Sequence, residues 1–260
     1  MSETLAIEVN GSVARVTLNR PDARNAMSDQ MVGELLNFFT SIQEDRSLRV
    51  VIIGASGNTF CAGGDLKDMQ AQAVMSLAEK IERMRGFDQM LHAIQTAPQV
   101  TIARIQGAAM GGGFGLVCVT DIAIAGESAK FALPEVRLGL SPALISPYVI
   151  ARLGMTRARQ LMLTGQRFGA QEAQQYGLVH FASADADLDT FVEQQVSEVL
   201  EGAPNALAET KKLLFYVTER SLEESLPYRA ELISRLRESD EGQEGMIAFI
   251  QKQKPSWAKS

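Results

Sequence analysis

A chain of 260 residues, 46% hydrophobic and 22% charged, carries enough apolar material for one large domain with an appendage. Its 25 basic and 31 acidic side chains leave a net charge of −6, with no run of five lysines and arginines, which argues against a nucleic-acid partner. Two histidines (His92, His180) and two cysteines (Cys61, Cys118), in neither a Cys-x-x-Cys nor a His-Glu-x-x-His arrangement, leave no recognisable zinc site.

Residues 5–9 and 13–18 are β-rich runs around Asn10-Gly11, a hairpin signal. Ser28 can cap a helix whose apolar positions Met31, Leu35, Phe38, Phe39 and Ile42 recur at helical spacing. Residues 49–54 read as a buried strand, 75–96 as a helix stopping before Pro98, and 100–106 and 121–125 as further strands. This alternation predicts an α/β core, assigned here to residues 1–188. Beyond it the β-rich runs disappear, and 189–201, 204–217, 222–238 and 241–252 read as helices of a C-terminal region, 189–260. No flexible linker separates the two, so they are expected to pack together.

The start, Met1-Ser2-Glu3-Thr4, lacks a basic segment followed by an apolar one. With only two cysteines, the expected setting is a reducing cytoplasm. The apolar window 107–126 is glycine-rich and contains Asp121, so it reads as buried strand and helix, and no membrane association is expected. Gly54-Ala55-Ser56-Gly57-Asn58 misses the Gly-x-Ser-x-Gly pattern at its last position. Catalysis is left to carboxylates, backbone groups or a bound cofactor.

Two glycine-bearing segments, 58–69 and 107–116, follow predicted strands. Glycine permits sharp turns and close approach of a ligand to the main chain. A helix starting just after such a turn presents free N–H groups with partial positive charge. Two such turns face to face would make a donor pair for a developing oxyanion. Close helix–strand packing is the alternative. A nucleotide loop is poorly supported, because neither Gly-x-Gly-x-x-Gly nor a Walker motif is present.

Both segments, in this order, resemble the crotonase (enoyl-CoA hydratase/isomerase) superfamily. The resemblance also takes in Leu18-Asn19-Arg20-Pro21, Asn25-Ala26-Met27, Asp121-Ile122-Ala123 and Pro134-Glu135, and runs to Lys254-Pro255. It implies a spiral of β-β-α units with a helical C-terminal region that forms a homotrimer or a dimer of trimers. It implies an acyl-CoA substrate, with coenzyme A as part of the thioester and no separate cofactor. The thioester carbonyl would lie between the backbone N–H groups of Gly64 and Gly112. Ala62, Asp65, Leu66 and Lys67 would line the CoA side with Arg24 and Ala26, although capping the following helix is the favoured role of Asp65.

Hydratases of the family commonly carry glutamates three and 23 residues after the second oxyanion glycine. Here these positions are Gly115, without a side chain, and Glu135. Glu135 is therefore the one expected proton carrier, against the alternative of a solvated turn acid. Gly115 leaves three readings: water held by Glu135 alone, an isomerase, or room made for a branched substrate. The stretch 141–147 and Gly113-Phe114-Gly115 resemble bacterial hydratases of 3-substituted glutaconyl-CoA thioesters, the isohexenyl form first and the methyl form next. Arg137 is a candidate partner for the distal carboxylate of such a substrate. General enoyl-CoA hydration and Δ3-Δ2-enoyl-CoA isomerisation stay open, as does a non-enzymatic acyl-CoA-binding relic. Lys211 and Lys212 are candidates for the CoA phosphates, with solvated helix charges as the alternative. Met69, Met75, Met84 and Met90 line an acyl pocket or pack helices. His92, His180 and Cys61 are expected to stay out of the chemistry.

Overall fold

The hairpin forms where Asn10-Gly11 signals it. β1 (Leu5–Asn10) and β2 (Val13–Leu18) pair antiparallel, with Gly11 at φ +55° taking the turn that a side chain would strain. The computed structural model describes residues 4–258, the side chains of Leu66 and Gln72 excepted. Ser28 caps α1 (Asp29–Ser41) by accepting from Met31 N, and the predicted stripe buries Met31, Leu35 and Phe39.

β3 (Val50–Ala55) follows, then α2 (Leu66–Ala71) and α3 (Leu77–Thr96), the latter opened by a Ser76–Glu79 capping box. β4 (Val100–Ile105) and β5 (Ala108–Met110) lead into α4 (Gly112–Val119). β6 (Ile122–Gly126), β7 (Lys130–Ala132), α5 (Ser146–Thr164), β8 (Phe168–Gly169), α6 (Ala170–Gln175) and β9 (Phe181–Ser183) complete the α/β part.

The main sheet runs β1-β2-β3-β4-β6-β9, parallel from β2 onward. Side chains alternate faces along each strand. Val16, Val51, Ile53, Ala103 and Ile105 therefore enter the large core with α1, α3, α4 and α5. Val50, Ile52, Ile102 and Ile124 meet Leu188, Val192 and Val196 of α7 (Leu188–Leu200) on the other side. Covered on both faces, β3 is a continuous apolar run.

A second sheet, β5-β7-β8, sits beside α4. Phe131 stacks on Phe168 at 5.7 Å, and Phe114 of α4 meets both edge-on. This aromatic cluster fixes the start of α4 against the sheet.

The remaining helices are α8 (Pro204–Thr218), α9 (Leu222–Glu238) and α10 (Asp240–Ile250). α8 is tied to the core by Lys211, which is 7% exposed. Its Nζ donates to Asp121 Oδ2 at 2.6 Å and to Gln99 O at 3.0 Å, and Asp121 Oδ2 also accepts from Thr101 N and Oγ1. Lys211 is thus a buried structural cation, neither a candidate for the CoA phosphates nor a solvated helix charge. Lys212 is exposed on the same helix. Among the described residues no helix is long and apolar enough to cross a membrane.

Candidate active site

Three loops converge where the two glycine segments meet. The first is held by Asn25, fully buried at φ +52°. Its side chain accepts from Arg20 N at 2.8 Å and donates to Ser56 O at 2.9 Å and Thr59 O at 2.8 Å. The sequence places Asn25 in a motif without revealing this work. Arg24 O accepts from Ala62 N, Met27 N donates to Gly63 O, and Asp65 N donates to Met27 O. Arg20 Nη1 donates to Ala26 O at 2.6 Å. These bonds lace residues 24–27 to 62–65.

The third loop joins through Cys61 N to Ala108 O and Met110 N to Cys61 O, both at 2.9 Å. Gly63, at φ +102°, carries the close approach: a Cβ there would lie 3.1 Å from Met110 O and 3.8 Å from Gly112 N. Gly111 N donates to Ala132 O, so the following N–H, that of Gly112, opens α4. The bridges consume neither the Gly64 nor the Gly112 N–H. Among the described residues both donors are free, and that of Gly112 sits at the positive end of α4.

Glu135 lies on a 3₁₀ turn, Glu135–Leu138, opened by Pro134 and closed by left-handed Gly139. A Cβ on Gly111 would be 3.0 Å from Glu135 Oε1, so glycine is required there both for φ +50° and for the carboxyl. Glu135 Oε2 is buried without a hydrogen-bond partner. Burial raises its pKa above the ordinary 4.5, opposed only by a backbone hydrogen bond. The structure therefore sets one carboxyl, its proton affinity raised by burial, beside two free amide donors. That set can stabilise an oxyanion and move a proton to or from the neighbouring carbon.

Met27 and Phe87 border the same space. A Cβ on Gly112 would meet Phe87 Cζ at 3.4 Å and Met27 Sδ at 3.6 Å. Met69 faces the other glycine, its Sδ 3.5 Å from a Cβ on Gly64, whereas Met90 is fully buried packing. Met84 is 42% exposed on α3, and Met75 Sδ accepts from Arg83. The helical spacing of the methionines could not separate these roles; the glycine contacts do.

Asp65 caps α2, its Oδ1 accepting from Lys67 N at 2.9 Å, and pairs with Arg20 Nη2 at 2.8 Å. Burial opposes its ionisation, but the hydrogen bonds from Arg20 and the Lys67 and Asp68 amides, with the Arg20 charge, hold its pKa below the usual value. Lys67 and Arg24 are exposed, and the Leu66 side chain lies outside the described residues.

One expectation is corrected. Gly115 does not open room for a substrate branch, because the volume of its missing side chain is filled by Ile145. Arg137 is exposed and anchored at its Nε, which donates to Thr164 O at the end of α5, with its stem packed on Gly165.

Among the described residues no His, Cys, Asp and Glu side chains gather as metal ligands would. His92 is exposed, while His180 Nδ1 accepts from Ala123 N at 3.0 Å, a structural task. Cys61 and Cys118 are buried, and burial pushes both thiols up to about 12.

The family model described as enoyl-CoA hydratase/isomerase matches residues 8–260. The solved structure of Pseudomonas aeruginosa AtuE superimposes with a TM-score of 0.97 at 44% identity, covering 99% of this chain and 100% of that one. An enoyl-CoA hydratase/isomerase from Marinobacter aquaeolei gives 0.96 at 42% identity, with coverage of 99% and 100%. The 2,3-dehydroadipyl-CoA hydratase of Escherichia coli is 33% identical over 259 residues, 99% of each chain.

Proposed function

The chain belongs to the enoyl-CoA hydratase/isomerase family, and from that premise we propose that it hydrates a 3-branched glutaconyl-CoA thioester, with 3-isohexenylglutaconyl-CoA preferred. Its fold is the crotonase fold, mixed α/β with a helical C-terminal region. It is an enzyme of the enoyl-CoA hydratase type, a hydro-lyase.

The observation that carries the reading is Glu135, its buried Oε2 without a partner, beside the free Gly64 and Gly112 donors. In the proposed reaction the water oxygen bonds to C3 of the enoyl chain as the double-bond electrons move onto the thioester oxygen. Gly64 and Gly112 N–H hold that enolate oxygen, each donor contributing about 2.7–4 kcal/mol in the transition state. Glu135 takes the proton released by the water and delivers it to C2, restoring the carbonyl. Arg24, Ala26, Ala62, Asp65, Leu66 and Lys67 form the CoA side, supported by the bond between Ala62 N and Arg24 O. Coenzyme A arrives on the substrate, so no separate cofactor is assigned.

A second carboxylate on the substrate suits a site with a single protein carboxylate. The Escherichia coli relative is likewise named for a thioester of a dicarboxylic acid. The 3-methylglutaconyl thioester is the nearest rival substrate, followed by simple enoyl-CoA chains. Δ3-Δ2-enoyl-CoA isomerisation is the rival reaction, because proton shuttling needs only one carboxyl. Residues 189–260 are proposed to trimerise the chain, supported by apolar side chains exposed on α9 and α10, among them Leu222 at 80% and Phe249 at 85%. The test is to offer isohexenylglutaconyl-, methylglutaconyl- and crotonyl-CoA to the purified protein and compare kcat/KM. The branched thioesters should dominate; dominance of crotonyl-CoA refutes the substrate reading.

A further inference from the structure

Gly115 lies one turn beyond Gly111 and Gly112 on α4, and residues three and four apart share a helix face. The first two look onto Glu135 and onto Met27 with Phe87, and Gly115, buried on the same helix face one turn on, looks onto Ile145. A Cβ added at Gly115 would lie 3.0 Å from Ile145 Cβ and would overlap Ile145 Cγ2. Ile145 is 3% exposed, belongs to the main core, and directly precedes α5, where its carbonyl accepts from Val149 N at 3.0 Å. A β-branched side chain anchored in this way has few rotamers to escape into. The missing side chain and the filling one are complementary.

We propose that Ile145 is a specificity-determining residue, forming with Gly115 a reciprocal volume pair that keeps this face of α4, as a wall of the site, apolar and uncharged. A carboxyl at 115 cannot coexist with Ile145. A desolvated site that holds two carboxylates resists ionising both. An acyl chain bearing its own carboxylate therefore meets one protein carboxyl, Glu135, rather than two. The pair selects thioesters with a second carboxylate over simple monoacyl chains, a consequence that rests on the hydratase reading above.

The experiment is a double-mutant cycle with two readouts. Gly115→Ala adds only the Cβ, and Gly115→Glu adds the carboxyl; each is made in the wild type and with Ile145→Gly. Glycine-to-alanine in a helix ordinarily raises stability, so a lowered Tm for Gly115→Ala is diagnostic of the overlap. Overpacking should cost Gly115→Glu roughly 5–10 °C. Adding Ile145→Gly should lower Tm strongly in the wild type and by clearly less in either Gly115 variant, because there it also relieves the overlap. Tm changes that simply add would overturn the pair, whatever the protein catalyses. In the second readout, Gly115→Glu/Ile145→Gly should shift the kcat/KM ratio at least roughly tenfold from 3-methylglutaconyl-CoA toward crotonyl-CoA, the scale of a modest change in pocket contacts. Coupled Tm values with an unchanged ratio would overturn the specificity role. A wild type that turns over none of these thioesters would fail the hydratase reading while leaving the Tm cycle decisive for the pair.

Discussion

Glu135→Gln keeps the shape of the side chain and removes its titratable proton. A positioned acid or base is worth about 10²–10⁴ in rate, or about 2.7–5.4 kcal/mol at 1.36 kcal/mol per tenfold. Because Glu135 is the carboxyl that faces the Gly111–Gly112 turn, kcat should fall by that range while affinity for the CoA thioester is kept. Stability should move the other way. A buried carboxylate oxygen without a partner is costly, and replacing it by a neutral amide should return about 1 kcal/mol, or roughly 2–4 °C in Tm.

The gain has a defined pH dependence. Burial raises the folded pKa of Glu135 above the ordinary 4.5, so folding favours its protonated form. The stability this contributes is complete below 4.5 and is lost as pH rises through the folded pKa. The Tm of Glu135→Gln relative to wild type should therefore grow across that window and then level off. Turnover measured spectrophotometrically at the enoyl band, with melting curves at several pH values, checks both arms. Near-wild-type turnover, or a Tm difference flat with pH, would refute the reasoning.

Lys211→Met should destabilise the protein by about 3 kcal/mol in urea unfolding, because Asp121 loses its buried cation, while kcat of the surviving folded fraction stays unchanged. Asn25→Ala should cost about 1–3 kcal/mol by orphaning Arg20 N, Ser56 O and Thr59 O, and here activity should fall too, since the lacing of 24–27 to 62–65 loosens. With both thiols held near 12 by burial, native protein at pH 8 should give no fast titration by a disulfide reagent, and two thiols after unfolding.

What was legible in the sequence depended on runs long enough to show a hydrophobic pattern, amphipathic or continuous. Ser28 and the stripe Met31, Leu35, Phe39 announce α1 because one face is buried and the other wet. The run Val50-Val51-Ile52-Ile53 announces β3 because both its faces are covered. α4 has no such signature: Gly113 to Val119 are all buried, so no face stands out. β5, β7 and β8 have two or three residues each, too few for a period. The candidate site was legible at Gly64, Gly112 and Glu135, backbone and one acid that the fold brings together. The volume pair was not, because Ile145 meets Gly115 across 30 residues of chain and only packing reveals the exchange. The role of Lys211 was hidden likewise, since burial of one lysine on a mixed helix leaves no mark on composition.

The most direct test of hydration by a single carboxyl follows isohexenylglutaconyl-CoA in deuterium oxide by NMR. The expected product carries one deuterium at C2 and a hydroxyl at C3, and Glu135→Gln forms it at least roughly a hundredfold more slowly, the lower bound for a lost acid–base group. Deuterium incorporated with the double bond merely displaced, and no water adduct, would contradict it and identify an isomerase.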